Sequence, residues 1–138
     1  MKHSLKKLIS SLLTVIMVFG VLTVVPFTVN AASFTPRTTA PDSSNAYYYS
    51  SNPFYQSGYG MPNCTCYAYG RAYELLGSKP RLSTGNAGYW WWYNKNNGIY
   101  SYGSTPKLGA IACWDKYDQN QGHVAVVEAI DGNSVTIS

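Results

Sequence analysis

A basic and then apolar leader limits what the rest of this chain can become. Lys2, Lys6 and Lys7 precede a run from Leu8 to Val25 that only Ser10, Ser11, Thr14, Gly20 and Thr23 interrupt, and Val29-Asn30-Ala31 follows it. A positive start, an apolar middle and a small residue at the end read as a secretory signal peptide over residues 1–31. An uncleaved membrane anchor is the alternative, because the run is near the shortest length that spans a bilayer. Val29 and Ala31, third and last before the cut, favour removal, so the expectation is a secreted chain with no stable membrane insertion. Of 138 residues, removing 31 leaves 107, which is one small domain and not two.

Charge follows the same division. Three of the ten basic residues leave with the leader, so seven remain against six acidic ones and the net charge falls from +4 to about +1. That excludes a basic footprint for nucleic acid. Thirteen tyrosines suit an exported protein that shows aromatic surface to a polymer, although a small core filled with tyrosine would have the same composition.

Residues 32–45 are Ser, Thr, Pro and Ala with little apolar content and read as a flexible lead-in; residues 46–138 read as the domain. Tyr47 to Met61 mixes aromatics with turn formers and reads as an irregular segment packed on the domain. Asn63 is a good N-cap and Gly77 a natural left-handed stop, so Cys64–Leu76 is expected to be helical, with Cys64, Ala68, Ala72 and Leu75 as its inward stripe. A short helix is expected over Ala87–Asn94. Gly109–Trp114 and His123–Ile130 read as strands around a polar loop that starts at Asp115, and Asp131-Gly132-Asn133 turns the chain into a third strand, Ser134–Ile137. Helices first and an antiparallel sheet second make an α+β domain.

A thiol nucleophile needs stabilisation of its thiolate and a base within reach. Cys64 stands at the first helical position, where free backbone N–H groups and the positive end of the helix dipole favour the thiolate and can also donate to an oxyanion. His3 leaves with the leader, so His123 is the only histidine of the mature chain and the candidate base. Taken alone, a histidine at a strand start is more often a solvated residue than a catalytic one. Cys66 lies about 200° further round the helix and cannot share a groove with Cys64, which also argues against a Cys-Thr-Cys metal site with His123. Cys113 is expected to be buried or paired; a Cys66–Cys113 disulfide and two buried thiols are both open. Arg71 and Glu74, three apart, are expected to form a surface pair worth a few tenths of a kcal/mol. Trp90, Trp91 and Trp92 could wall a substrate groove by stacking on sugars, with at least one of them in the core.

Asn63-Cys64-Thr65-Cys66-Tyr67-Ala68-Tyr69-Gly70-Arg71, then Gly109-Ala110-Ile111-Ala112, then Gly122-His123-Val124-Ala125-Val126-Val127-Glu128 together resemble the CHAP family, the cysteine- and histidine-dependent amidohydrolases and peptidases. The likeness runs from about Asn52 to Ser138 and includes Asn86-Ala87 ahead of Trp90-Trp91. It implies a papain-like α+β fold of the NlpC/P60-superfamily type, with N-terminal helices packed on a small antiparallel sheet. It also implies hydrolysis of peptidoglycan, as an N-acetylmuramoyl-L-alanine amidase or a peptide or cross-bridge endopeptidase. No metal or cofactor is implied, and a monomer in the cell wall or medium is expected.

Carried over, Cys64 is the nucleophile, His123 the base, Asn63 an oxyanion or orienting residue where the family often has Gln, and Trp90 and Trp91 groove residues. Cys66 stands where the family usually has Trp. The family's third catalytic residue orients the histidine from the next strand. With Asp131-Gly132-Asn133 as a three-residue loop, Val126 faces Ser138, and the position opposite His123 falls about three residues beyond it. The chain is therefore expected to be C-terminally truncated, or else a weakened homologue. Glu128, roughly 16 Å along the strand from His123, and Asp131 fit the orienting role poorly. The rival readings are an NlpC/P60-type hydrolase, whose small residues after the cysteine are missing here, and a non-catalytic wall-binding module.

Overall fold

Polar caps fix the two N-terminal helices. In the computed structural model, which describes residues 34–114 and 122–138, Asn52 accepts a hydrogen bond from the Phe54 N–H and Pro53 occupies the first turn of a short helix, α1 (Pro53–Gln56). The leader expected over residues 1–31, and all but Gly122 of the loop expected from Asp115 to Gly122, lie outside the described residues. Asn52 is fully buried, and its amide donates to the Tyr47 and Cys66 carbonyls at 3.0 and 2.9 Å, so one side chain ties α1 to the next helix. That helix, α2 (Cys64–Leu76), has the expected bounds: Asn63 Oδ1 accepts from the Thr65 N–H at 3.0 Å, and Gly77 stops it at φ +63°.

The buried face of α2 differs from the expected stripe. Thr65, Cys66, Ala68, Tyr69, Gly70 and Arg71 are buried, whereas Ala72 is only partly covered and Leu75 is exposed. The helix is covered on two sides, by the sheet and by the segment that carries Tyr48, so burial broadens into a wedge. Gly70 is where Tyr48 approaches: a Cβ there would lie 2.5 Å from the Tyr48 ring. A 3₁₀ turn (Ala87–Tyr89) leads into α3 (Trp90–Asn97), which ends three residues later than expected and is stopped at Gly98 in the left-handed region.

Strands β1 (Ile111–Trp114), β2 (His123–Asp131) and β3 (Ser134–Ile137) form an antiparallel sheet in chain order. The molecule is thus α+β, with helices preceding a small sheet. β1 pairs with β2 so that Trp114 stands opposite His123. Between β2 and β3 the turn is tighter than expected, since Asp131 pairs with Ser134 and Ile130 with Val135. A bulge at Glu128 then absorbs the difference, and Val126 and Ser138 exchange both backbone hydrogen bonds at 3.0 Å, the pairing expected from the longer loop. Among the described residues, none of β3 stands opposite His123.

The core joins Phe54, Cys66, Ala68, Tyr69, Ala87, Trp90, Val124 and Val126. Arg71 and Glu74 are not the surface pair expected from their spacing. Arg71, 4% exposed, makes two 2.9 Å bonds to Glu128, which is 1% exposed, and another to Glu74 at 2.8 Å. Glu128 also accepts from the Arg37 backbone N–H and the Ser138 hydroxyl, while Glu74 accepts from Tyr48 and the Arg37 side chain. Burial alone would raise the Glu128 carboxyl, but Arg71, the Arg37 N–H and Ser138 outweigh it and hold the pKa below the usual range.

The segment around Arg37, expected to be a flexible lead-in, therefore takes part in the fold. The Thr35 carbonyl accepts from Arg71 at 2.6 Å, Phe34 packs under the same guanidinium and Pro41 is buried. Low apolar content concealed this because the segment is held by backbone hydrogen bonds and charge.

Candidate active site

Cys64 opens α2 and is half-buried against the core, two residues before Cys66, which is wholly buried. The N-cap function occupies the oxygen of Asn63, which receives both the N–H and the hydroxyl of Thr65, at 3.0 and 2.6 Å. The amide nitrogen is the end of Asn63 with the donors an oxyanion needs.

His123 is the first residue of β2 and is exposed; its ring lies 5.4 Å from that of Trp114. Gly122, just before it, has φ +73°, and a Cβ there would come within 2.5 Å of the Gly88 backbone and 2.8 Å of the Trp114 carbonyl. Glycine at 122 thus lets the chain bearing His123 lie directly on the turn ahead of α3. Gly122→Ala, strained in both backbone and space, is expected to lower the melting temperature and to cut any His123-dependent activity at least tenfold; a variant with wild-type melting and activity would contradict this reading.

α2 packs on β2, and the salt bridge from Arg71 to Glu128 joins the later halves of both elements. Cys66 and Ala68 share the core with Val124 and Val126, nearer the start of each. Cys64 and His123 are the residues that begin this helix and this strand. Their surroundings differ, since Cys64 faces the core and His123 faces solvent beside Trp114.

The other two thiols are poor nucleophiles. All three cysteines are free, so no disulfide joins Cys66 to Cys113. Burial raises the Cys66 thiol, and it pushes Cys113 up to about 11, so both stay protonated near neutrality. Among the described residues no group of three His, Cys, Asp or Glu side chains could hold a metal ion, and no helix is long and apolar enough to cross a membrane.

The tryptophans divide. Trp90 is a core residue, 3% exposed, stacked near Phe54 and donating to the Gly85 carbonyl at 3.1 Å, so the expectation of a groove role for it is corrected. Trp91 lines a cavity of about 200 Å³ together with Ala87, Gly88, Trp92, Cys113 and Trp114. Trp114 escaped the sequence reading. Pairing the two predicted strands across their loop could have found it, because that register sets Trp114 opposite His123. Glu128 is committed to Arg71, which explains why it fits no orienting role.

A family model, the CHAP domain, matches residues 54–138, more than half of the chain. No curated protein and no solved structure matches it.

Proposed function

The chain belongs to the CHAP domain family, whose members are amidases and peptidases of the cell wall, and from that we propose that it is an exported, papain-like cysteine hydrolase that cuts an amide bond of peptidoglycan. One observation carries the proposal: the half-buried thiol at the first position of α2 begins a helix packed alongside the strand that begins with the only histidine outside the leader.

The chemistry follows from those positions. The Cys64 thiolate adds to the amide carbonyl and forms a C–S bond. The negative charge that develops on oxygen is met by the backbone N–H groups of the first turn and by the amide nitrogen of Asn63. His123, protonated, gives its proton to the leaving nitrogen as the C–N bond breaks, leaving a thioester and a free amine. Water, deprotonated by His123, attacks the thioester; the C–S bond breaks, and acid and thiolate are released. The full burial of Cys66 and the desolvation that pushes the Cys113 thiol up both support Cys64 as the nucleophile.

Purified cell walls are expected to lose turbidity on incubation with the secreted chain, with new amino groups appearing in the soluble fraction and no increase in reducing sugar ends. Release of reducing ends would show cleavage of the glycan instead. Wall binding without either product would favour the rival wall-binding reading, for which the exposed tryptophans are the supporting observation.

A further inference from the structure

The end of α2 away from Cys64 carries an apolar surface that the mechanism does not use. Leu75, Leu76 and Leu108 are 38%, 52% and 49% exposed. Gly109 brings their segments together: a Cβ there would lie 3.3 Å from the Leu75 side chain and 3.3 Å from the Phe34 ring, so the last turn of α2, the turn at Leu108 and the first described residue meet. Lys79 and Lys107, both exposed, stand three residues after Leu76 and next to Leu108. Glu74, beside Leu75 in sequence, is already paired with Arg37 and Arg71.

Charge decides what such a face fits. The buried network takes up Arg37 and Arg71 with Glu74 and Glu128. The charges outside it among the described residues are Lys79, Arg81, Lys95 and Lys107 against Asp42 and Asp131, a basic surface. An apolar patch edged with ammonium groups complements a partner with anionic groups outside and hydrocarbon beneath them. An anionic bilayer has that layering: leucines reach below the headgroups, and lysine stems follow them while the charge stays at the level of the phosphates. A soluble anionic polymer would satisfy the lysines and leave the leucines in water. A second copy docked through the same face would bring the same ammonium groups together.

Connectivity points the same way. Phe34 follows Ala31, the last residue of the expected leader, by three residues, which span at most about 11 Å when extended. The patch is therefore close along the chain to the segment expected to enter a membrane during export.

We propose that the face formed by Leu75, Leu76 and Leu108 docks the domain on an anionic lipid surface, with Lys79 and Lys107 at the phosphates. Peripheral docking of this kind needs no spanning helix. From Leu76 to Cys64 α2 rises about 18 Å, so the docked domain holds its thiol away from the lipid. The docking stands on the patch alone; its use, presenting Cys64 to the wall, rests on the hydrolase reading.

The test is cosedimentation of the secreted chain, its first residue identified by mass spectrometry, with vesicles of phosphatidylglycerol and phosphatidylcholine in equal parts. Binding is expected, at least tenfold weaker on phosphatidylcholine alone and at least tenfold weaker in each of two variants, Leu76→Ser with Leu108→Ser and Lys79→Glu with Lys107→Glu. All four side chains are exposed, so circular dichroism should stay native in both. No binding to the anionic vesicles overturns the proposal, and so does binding that the leucine variant retains in full, which would mark an anion patch only. Self-association without vesicles in sedimentation velocity, abolished in the leucine variant, also overturns it by giving the face to a second copy. Cleavage of lipid-free walls is measured on the same chains and should be equal in all three. Cleavage without vesicle binding overturns the docking and leaves the hydrolase reading standing, and vesicle binding without cleavage does the reverse.

Discussion

Replacing Cys64 by serine is expected to reduce amide release from purified cell walls by at least about 10³-fold while leaving the fold intact. The side chain is half-buried and, among the described residues, makes no hydrogen bond or disulfide that serine would lose, so melting should shift little. The size of the effect follows from the absence of a substitute. Cys66 is enclosed under the Tyr48 carbonyl, and Cys113 is held protonated on the sheet, so neither can take over the attack. The corresponding Cys66→Ser and Cys113→Ser chains should retain most activity, their losses tracking lost packing. Loss of function in Cys113→Ser but not in Cys64→Ser would transfer the nucleophile to the strand and overturn the mechanism.

The second large effect is on stability. Arg71→Met should cost about 3–5 kcal/mol, because it leaves the Glu128 carboxylate buried at the bulge without its cation. For a domain of this size that is a fall in melting temperature on the order of 15 °C or more. The double variant Arg71→Met with Glu128→Met removes both charges and should recover part of the loss.

The same network sets an acid limit. Against the opposing effect of burial, hydrogen bonds hold the pKa values of Glu128 and Glu74 below their unfolded values, so the folded state binds fewer protons than the unfolded state there. Their contribution is fully present above about pH 4.3 and is lost as the pH falls through the depressed folded values. Melting measured from pH 7 down to pH 3 should therefore fall steeply at the acid end in the unmutated chain and less steeply in the double variant. Equal slopes would remove the network from the account.

Much of the framework was legible because local chemistry decided it. Asn63 and Gly77 bound α2 by capping alone, and Ser134–Ile137 follows from its turn and its alternation. The Val126–Ser138 pairing came out as expected through a compensation that no local rule contains: a shorter turn plus a bulge at Glu128.

The illegible features are long-range. Arg71 and Glu128 stand 57 residues apart, and nothing in either neighbourhood marks them as partners. Arg37 and Thr35 join them from a segment whose composition reads as linker. Trp90, Trp91 and Trp92 are equivalent as residues, and successive helix positions turn by about 100°, so one is buried and the others exposed. Which one goes inward depends on where Phe54 sits, and that is a property of the assembled core.

The central claim is that the start of α2 and the imidazole of His123 act together on one thiol. The rate of alkylation of Cys64 by a small haloacetamide, followed by mass spectrometry of the labelled peptide at one fixed pH, tests it most directly. The account predicts labelling of Cys64 well ahead of Cys66 and Cys113, at a rate that falls at least tenfold in His123→Ala. A Cys64 rate no faster than that of the other two thiols, and unchanged by His123→Ala, would contradict it.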